Sequence, residues 1–255
     1  MTQWIRFEHG GKIQFGTLED GRIAVHEGNM FDQPKPNSET VALEEVKVLT
    51  PTEPSKIVAL WNNFKALGQK LNLDTPEDPL YFIKATTSAL AGGELIRRPA
   101  SYDGKVIFEG ELGIVIGKEC RSISEGEADD YIFGYTCIND VTAVELLNKD
   151  ASFAQWTRAK SFDTFGVFGP VVSAGLNPDG LSIVSVLNGD ERQNYPVSDM
   201  IFQPRRLVSL VSHDLTLVPG DVIACGTSVG VGSMKPGSTI DISIEGIGTL
   251  SNKFE

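Results

Sequence analysis

A mixed, β-rich (α+β) fold, built as a barrel or a rolled sheet, is predicted by three observations on this 255-residue sequence. Strand-like apolar runs recur through it: KVIFEGELGIVIG, DYIFGYTCIN, PVVSAG, LSIVSVLNG, DVIACGTS and TIDISIEGIGTL. Few segments carry helical spacing. The 26 glycines and 13 prolines punctuate the runs as turns.

In order along the chain, WIRFEH alternates Trp4, Arg6 and Glu8 with Ile5, Phe7 and His9, and the turns HGG and EDG precede KIQFGTLE and RIAVHEG. Short strands therefore open the molecule. FDQPKPNSET (31–40), rich in Pro, Asn and Ser, reads as a linker or long loop. A boundary falls near residue 50 at LTPTEP, dividing a small N-terminal β domain (1–50) from a main domain (51–255). KIVAL opens the main domain as a buried strand. Phe64, Leu67 and Leu71 follow at helical spacing, with Asn62 or Asn63 as the N-cap. DVTAVELLNKD and RLVSLVSHDL read as two further helices.

Lys and Arg number 22 against 34 Asp and Glu, a net charge of −12. Such a surface repels phosphate backbones, and no basic run offsets it, so nucleic-acid binding is excluded. No window approaches the ~18 uninterrupted apolar residues of a membrane span, and MTQWIRFEHG has no signal-peptide pattern. The three cysteines, Cys120, Cys137 and Cys225, are widely spaced and lie in or beside strand-like runs, which suits buried thiols in the cytoplasm. With only His9, His26 and His213 to pair with them, neither a cysteine nucleophile nor a zinc site has the partners it needs.

The segment Phe108-Glu109-Gly110-Glu111-Leu112-Gly113-Ile114-Val115-Ile116 is the most informative. Phe108, Leu112, Ile114 and Ile116 share one parity; Glu109 and Glu111 share the other, with Cα atoms ~7 Å apart on one face of a strand. Two ordinary surface glutamates would satisfy that pattern. Against full exposure stand Val115, on the same parity, and Gly113, which leaves room above the sheet. Gly110 signals close approach of another group. Asp140 ends the run YIFGYTCIND, either as an N-cap of the following helix or as a third carboxylate. Three carboxylates in one place repel one another, and a hard divalent cation with all-oxygen ligation would hold them. Lys160, in RAKSFDTFG, is either a snorkelling surface lysine or the charge that balances such a cluster and holds an anion. The glycine-rich GTSVGVG (226–232) lacks the Lys-Ser/Thr ending and following helix of a phosphate loop, so it reads as a tight loop lining a pocket.

In this order, these blocks resemble the fumarylacetoacetate hydrolase superfamily over about Lys56–Leu250. FEGELGIVIG resembles its Glu-x-Glu-Leu strand, GYTCINDVTA its Gly-Tyr…Asn-Asp segment, and RAKSFDTFGVFGP its lysine block. GDVIACGTSVGVG resembles its closing glycine loop, and IEGIGTLSN its usual ending. The resemblance implies a β-roll core with a small N-terminal β domain and a homodimer or higher homo-oligomer. It puts Glu109, Glu111 and Asp140 on the ligand positions for Mg²⁺ or Mn²⁺ and Lys160 on the active-site lysine. Asn63, Thr164, Gly226 and Thr227 fall on substrate-lining positions. The implied substrates are small 2-oxo or 2,4-dioxo acids, activated by a cation that stabilises charge on the 2-oxo oxygen as an enolate forms.

The sequence departs from the family at two places. Hydrolytic members prepare a water with His and Glu in a lid pattern Asn-Tyr-x-x-His-x-x-Glu; here Leu67 and Lys70 occupy those positions. His213 reads as a polar helix end. Many relatives place Arg four residues after the aspartate, and some Gln seven after it; here Val144 and Leu147 stand there, which implies a smaller or more apolar substrate tail. Arg97, Arg98 and Arg158 are the remaining anion partners. Three readings follow, ranked by the family's commonest chemistry: a C–C hydrolase of an acylpyruvate or 2,4-dioxo acid, a decarboxylase or tautomerase of a 2-oxo acid, and a non-catalytic binding subunit. The third has no use for three clustered carboxylates.

Overall fold

The alternation in the first strands sets the start of the fold. A computed structural model covers residues 1–255, and in it Thr2–His9, Lys12–Glu19 and Arg22–Asn29 form an antiparallel meander with Ile5, Phe7, Ile23 and Val25 turned inward. Its first strand pairs with Gly166–Ala174, Trp4 opposite Val172, so the meander continues a twelve-stranded sheet. The expected linker at 31–40 is instead most of a fourth strand, Asp32–Ala42. Pro34 and Pro36 cannot donate to a ladder, which gives this strand the sequence character of a linker. They are accommodated on an edge strand whose register shifts twice beside them.

The remaining strands of this sheet include Gly110–Ile116, Ile132–Asp140, Val222–Ala224, Ile57–Trp61 and Leu80–Lys84. A five-stranded sheet, in which Ser182–Leu187, Asp190–Pro196, Thr239–Ile244 and Gly248–Phe254 take part, contributes Ile183, Ile240, Ile242 and Leu250 to one large core with Leu112, Ile114 and Ile116. On the opposite face Val115, Ile138, Phe168 and Val222 form a second core under Phe133 and Trp156. Gly110–Ile116 is buried at every residue, which is why its sequence is a near-continuous apolar run. The space expected above Gly113 is filled: a Cβ there would meet Ile138 Cδ1 at 2.6 Å.

Two local expectations are corrected. DVTAVELLNKD is not a helix: Thr142–Ala143 pairs with Val106–Ile107, and only Val144–Leu146 makes a single 3₁₀ turn. Cross-strand pairing of the β-branched Thr142 overrides the helical pattern. The helix Lys65–Leu71 starts after Phe64 with no side-chain cap from Asn62 or Asn63; a first-turn donor, Ala66 N–H, goes instead to Asp199 Oδ2 at 3.0 Å. Pro204–Asp214 is helical as expected, with proline in the first turn and Leu207, Val208 and Val211 inward. The three cysteines are free and buried. No helix is long and apolar enough to cross a membrane.

Candidate metal centre

Glu109 lies where the chain leaves Val106–Phe108, part of a separate three-stranded sheet, and enters Gly110–Ile116. Pairing of Gly110 with Asn139 brings the end of Ile132–Asp140 alongside, and Asp140 N–H donates to the Glu109 carbonyl at 2.9 Å. One carboxylate oxygen each from Glu109, Glu111 and Asp140 thus falls within 4.8 Å of the others, and all three residues are buried. The two glutamates are therefore not surface groups, and Asp140 is not a helix cap.

Two buried lysines answer this charge. Lys160, at the end of the short helix Trp156–Lys160, donates to Glu109 Oε2 at 2.8 Å and Asp140 Oδ2 at 2.6 Å. Its Nζ also stands 5.5 Å from the centre of the Phe82 ring, a cation–π contact. Lys84 donates to the other Asp140 oxygen and to the carbonyl of Lys160. Burial pushes Glu111 well above the ordinary carboxylate range, and the charges of Asp140 and Glu109 add to the rise. Burial also raises Glu109, against the pull of Lys160. For Asp140, burial opposes ionisation but Lys160 and Lys84 outweigh it and hold the group low. Burial likewise opposes the charge on Lys160, and the three carboxylates outweigh it and raise that lysine. In Lys84, burial prevails over Asp140, the Lys160 charge adds to it, and the group is lowered.

Each carboxylate oxygen can be accounted for except one. Glu109 Oε1 accepts from Thr142 Oγ1 at 3.0 Å, and Glu111 Oε2 accepts from Gly226 N–H at 2.8 Å. Glu111 Oε1 is buried with no partner. A buried, unsatisfied carboxylate oxygen beside two more carboxylates is a donor set that fits a hard divalent cation.

Of the other sequence-predicted site residues, Gly226 and Thr227 adjoin the cluster: Gly226 bonds Glu111, and Thr227 Oγ1 donates to the Gly110 carbonyl at 2.9 Å. Gly226 has φ +88°, which favours glycine in this loop. Asn63 stands one step back. Its Nδ2 donates to the Cys225 carbonyl at 2.8 Å and its Oδ1 accepts from Phe202 N–H at 2.8 Å, so it ties two loops together behind Gly226. Thr164 makes no hydrogen bond to the cluster; its hydroxyl accepts from Arg97 N–H at 2.9 Å. Arg97 pairs with Glu255, and Arg98 lies over Phe254 and donates to the Gly104 carbonyl. Leu67 is buried in the main core, Lys70 is exposed, and His213 Nε2 lies 3.2 Å from the Ile123 carbonyl.

Sequence reasoning missed Lys84, Thr142, Gln193 and Tyr195. A signal existed for three of them. In Leu80–Lys84 the lysine shares the inward parity of Phe82, and in Asp190–Pro196 Gln193 and Tyr195 alternate inward. A polar group on a buried parity needs a buried partner.

Comparison with known proteins identifies the family of this fold. Residues 56–255 match the family model described as fumarylacetoacetate (FAA) hydrolase C-terminal, and residues 2–51 match Rv2993c-like, N-terminal. The chain belongs to the fumarylacetoacetate hydrolase family. It is 37% identical to the oxaloacetate tautomerase YisK of Bacillus subtilis, over 86% of this chain and 78% of that one. It is 38% identical to the mitochondrial oxaloacetate tautomerase FAHD1 of Arabidopsis thaliana, over 79% of this chain and 91% of that one. The crystal structure of a 2-hydroxyhepta-2,4-diene-1,7-dioate isomerase from Mycobacterium marinum superposes with a TM-score of 0.91 at 34% identity, covering 100% of this chain and 98% of that one. These relatives are enzymes, and those named here are tautomerases and an isomerase.

Proposed function

We infer that the protein is a divalent-cation-dependent tautomerase of a small 2-oxo acid of the oxaloacetate type, using Mg²⁺ or Mn²⁺. The observation that carries this reading is the helix Lys65–Leu71. Leu67 and Lys70 stand where a water-activating pair would be, the first packed into the core and the second facing solvent. Hydrolysis needs an activated water; moving one proton between carbon and oxygen does not. The two oxaloacetate tautomerases among the relatives support the same choice.

Glu109, Glu111 and Asp140 would hold the cation, which when bound supplies Lewis-acid stabilisation of negative charge on the 2-oxo oxygen. Lys160 keeps its proton, because Asp140 and Glu109 face its ammonium group. It therefore offers a fixed positive charge to the substrate carboxylate. Lys84 holds the second Asp140 oxygen and the Lys160 carbonyl, fixing the direction from which Lys160 approaches. Gly226 and Thr227 form the loop that holds Glu111 and Gly110 in place, and a Cβ on Gly226 would press on Asn63 at 3.3 Å, so the loop packs closely behind the carboxylates.

The test follows enol absorbance of oxaloacetate with Mn²⁺ and with EDTA, assaying pyruvate and CO₂ in parallel, and repeats the series on acylpyruvates. EDTA-sensitive ketonisation of the enol, with no CO₂ and no acid released, is the expected outcome. Release of pyruvate plus an acid from the acylpyruvates, with enol decay at its spontaneous rate, would restore the C–C hydrolase ranked first on the sequence. Metal-dependent CO₂ release would make the protein a decarboxylase.

A further inference from the structure

Gly110 separates two of the three carboxylates, and its backbone is held from both sides by side chains of another sheet and loop. Its N–H donates to Gln193 Oε1 at 3.0 Å. Its carbonyl accepts from Thr227 Oγ1 at 2.9 Å and from the Tyr195 hydroxyl. Gln193 Nε2 in turn donates to Thr227 Oγ1 at 2.9 Å. Gly110 N–H, the Gln193 amide, the Thr227 hydroxyl and the Gly110 carbonyl therefore form a closed ring of hydrogen bonds around the residue between Glu109 and Glu111.

The ring is specific in direction. Gln193 Oε1 takes a second bond from Ser185 Oγ at 2.8 Å, and Nε2 a second acceptor in the Ser228 carbonyl at 3.2 Å, so the amide is saturated in one orientation. Gln193 and Tyr195 are buried, so water does not compete for these bonds. The approach is close enough to require glycine: a Cβ on Gly110 would lie 2.2 Å from Ser185 Oγ and 2.9 Å from Ile242 Cδ1. Gly110 is also where the chain passes from the three-stranded to the twelve-stranded sheet. On one side of that joint the segment through Asn139 and Asp140 holds the backbone, Asp140 N–H donating to the Glu109 carbonyl at 2.9 Å and Gly110 lying opposite Asn139. The ring grips Gly110 itself, the residue that sets the direction of Glu109 relative to Glu111.

The geometry points to Gln193 as a positioning residue. By clamping Gly110 it fixes the separation of the Glu109 and Glu111 carboxylates, and so sets divalent-cation affinity from a hairpin that touches neither carboxylate. This rests on the cation reading of the cluster. Outer hydrogen-bond partners of this kind typically change metal affinity by about 10–100-fold.

The experiment is calorimetric titration of the full-length, metal-free protein with Mn²⁺, with the bound-Mn²⁺ EPR line shape and the metal-free thermal melt recorded alongside. Wild type is expected to bind Mn²⁺ and Glu111→Gln to lose it. If wild type does not bind, the cation reading falls and the clamp falls with it. Given binding, Gln193→Leu is expected to weaken it about 10–100-fold and alter the line shape while the protein still melts cooperatively. Thr227→Val, which breaks the same ring, is expected to weaken binding, and Thr227→Ser, which restores the hydroxyl, to recover it. Wild-type affinity in both folded Gln193→Leu and Thr227→Val overturns the clamp while leaving the cation reading intact. Should Gln193→Leu fail to fold, the Thr227 pair decides alone: no difference between Val and Ser overturns the proposal.

Discussion

Lys84 donates to the backbone carbonyl of Lys160, so the two buried lysines of the site are joined to each other as well as through Asp140. One lysine comes from a strand and the other from a five-residue helix too short to be stable alone. The strand lysine thus anchors the helix that carries the second charge.

Lys84→Met leaves Asp140 buried with one cation instead of two. Removing one partner from a buried ion pair costs about 3–5 kcal/mol, so the metal-free variant should melt well below wild type. Added Mn²⁺ should recover part of the loss, because it replaces the missing positive charge. Thermal melts with and without Mn²⁺ check both statements; an unchanged metal-free melt would show that Lys84 is not needed to balance the cluster.

Glu111→Gln should separate metal binding from folding. The Gly226 bond survives on the amide oxygen, and the position without a protein partner stays unpartnered in either residue. Metal-free stability should therefore stay near wild type, while Mn²⁺ affinity falls by more than the ~10–100-fold expected of an outer partner. Calorimetric titration beside a denaturant melt distinguishes this from general unfolding.

Gly110→Ala should be destabilised by about 1–3 kcal/mol through overpacking, because its Cβ would sit 2.2 Å from Ser185 Oγ. Ser185→Gly removes that atom. In a double-mutant cycle the pair should recover stability relative to the sum of the single changes. Strict additivity would show that the clash lies elsewhere.

The thiols supply a prediction in pH. Burial pushes the Cys137 thiol from 9.0 up to about 12, and burial also raises Cys120 and Cys225. A thiol reagent at mildly alkaline pH should therefore find none of the three until the chain is denatured, then all three. Between 9.0 and about 12 the folded state keeps the Cys137 proton that the unfolded state gives up. The unfolded state then binds fewer protons, so this group's contribution to stability falls as pH rises through that window. Denaturant melts of Cys137→Ala against wild type across the window should show a shallower decline in the variant.

The carboxylates and Lys160 were legible in the sequence because strand parity and short blocks carry them. Glu109 and Glu111 lie two residues apart, and Asp140 closes the adjacent strand. Lys84 and Gln193 carry only an inward strand parity in the sequence; the groups they answer are set by tertiary pairing with segments far away in sequence. The helix expected after Asp140 and the linker expected before Ala42 both give way to strand in the structure, for one physical reason. Local propensity there was overruled by a ladder partner, Val106–Ile107 in one case and Arg22–Asn29 in the other. Asn63 does not cap the helix as expected; its side chain joins two loops instead.

The outermost strand, Asp32–Ala42, has a meaning beyond its place in the meander. A sheet of twelve strands ends in a row of free backbone groups that could template another chain, and an eleven-residue rim offers a long template. Pro34 and Pro36 each remove a donor from that row, and the two register shifts twist it out of line. The features that disguised this segment as a linker leave the rim poorly suited to recruit a neighbour, and so guard the folded protein against edge-to-edge aggregation.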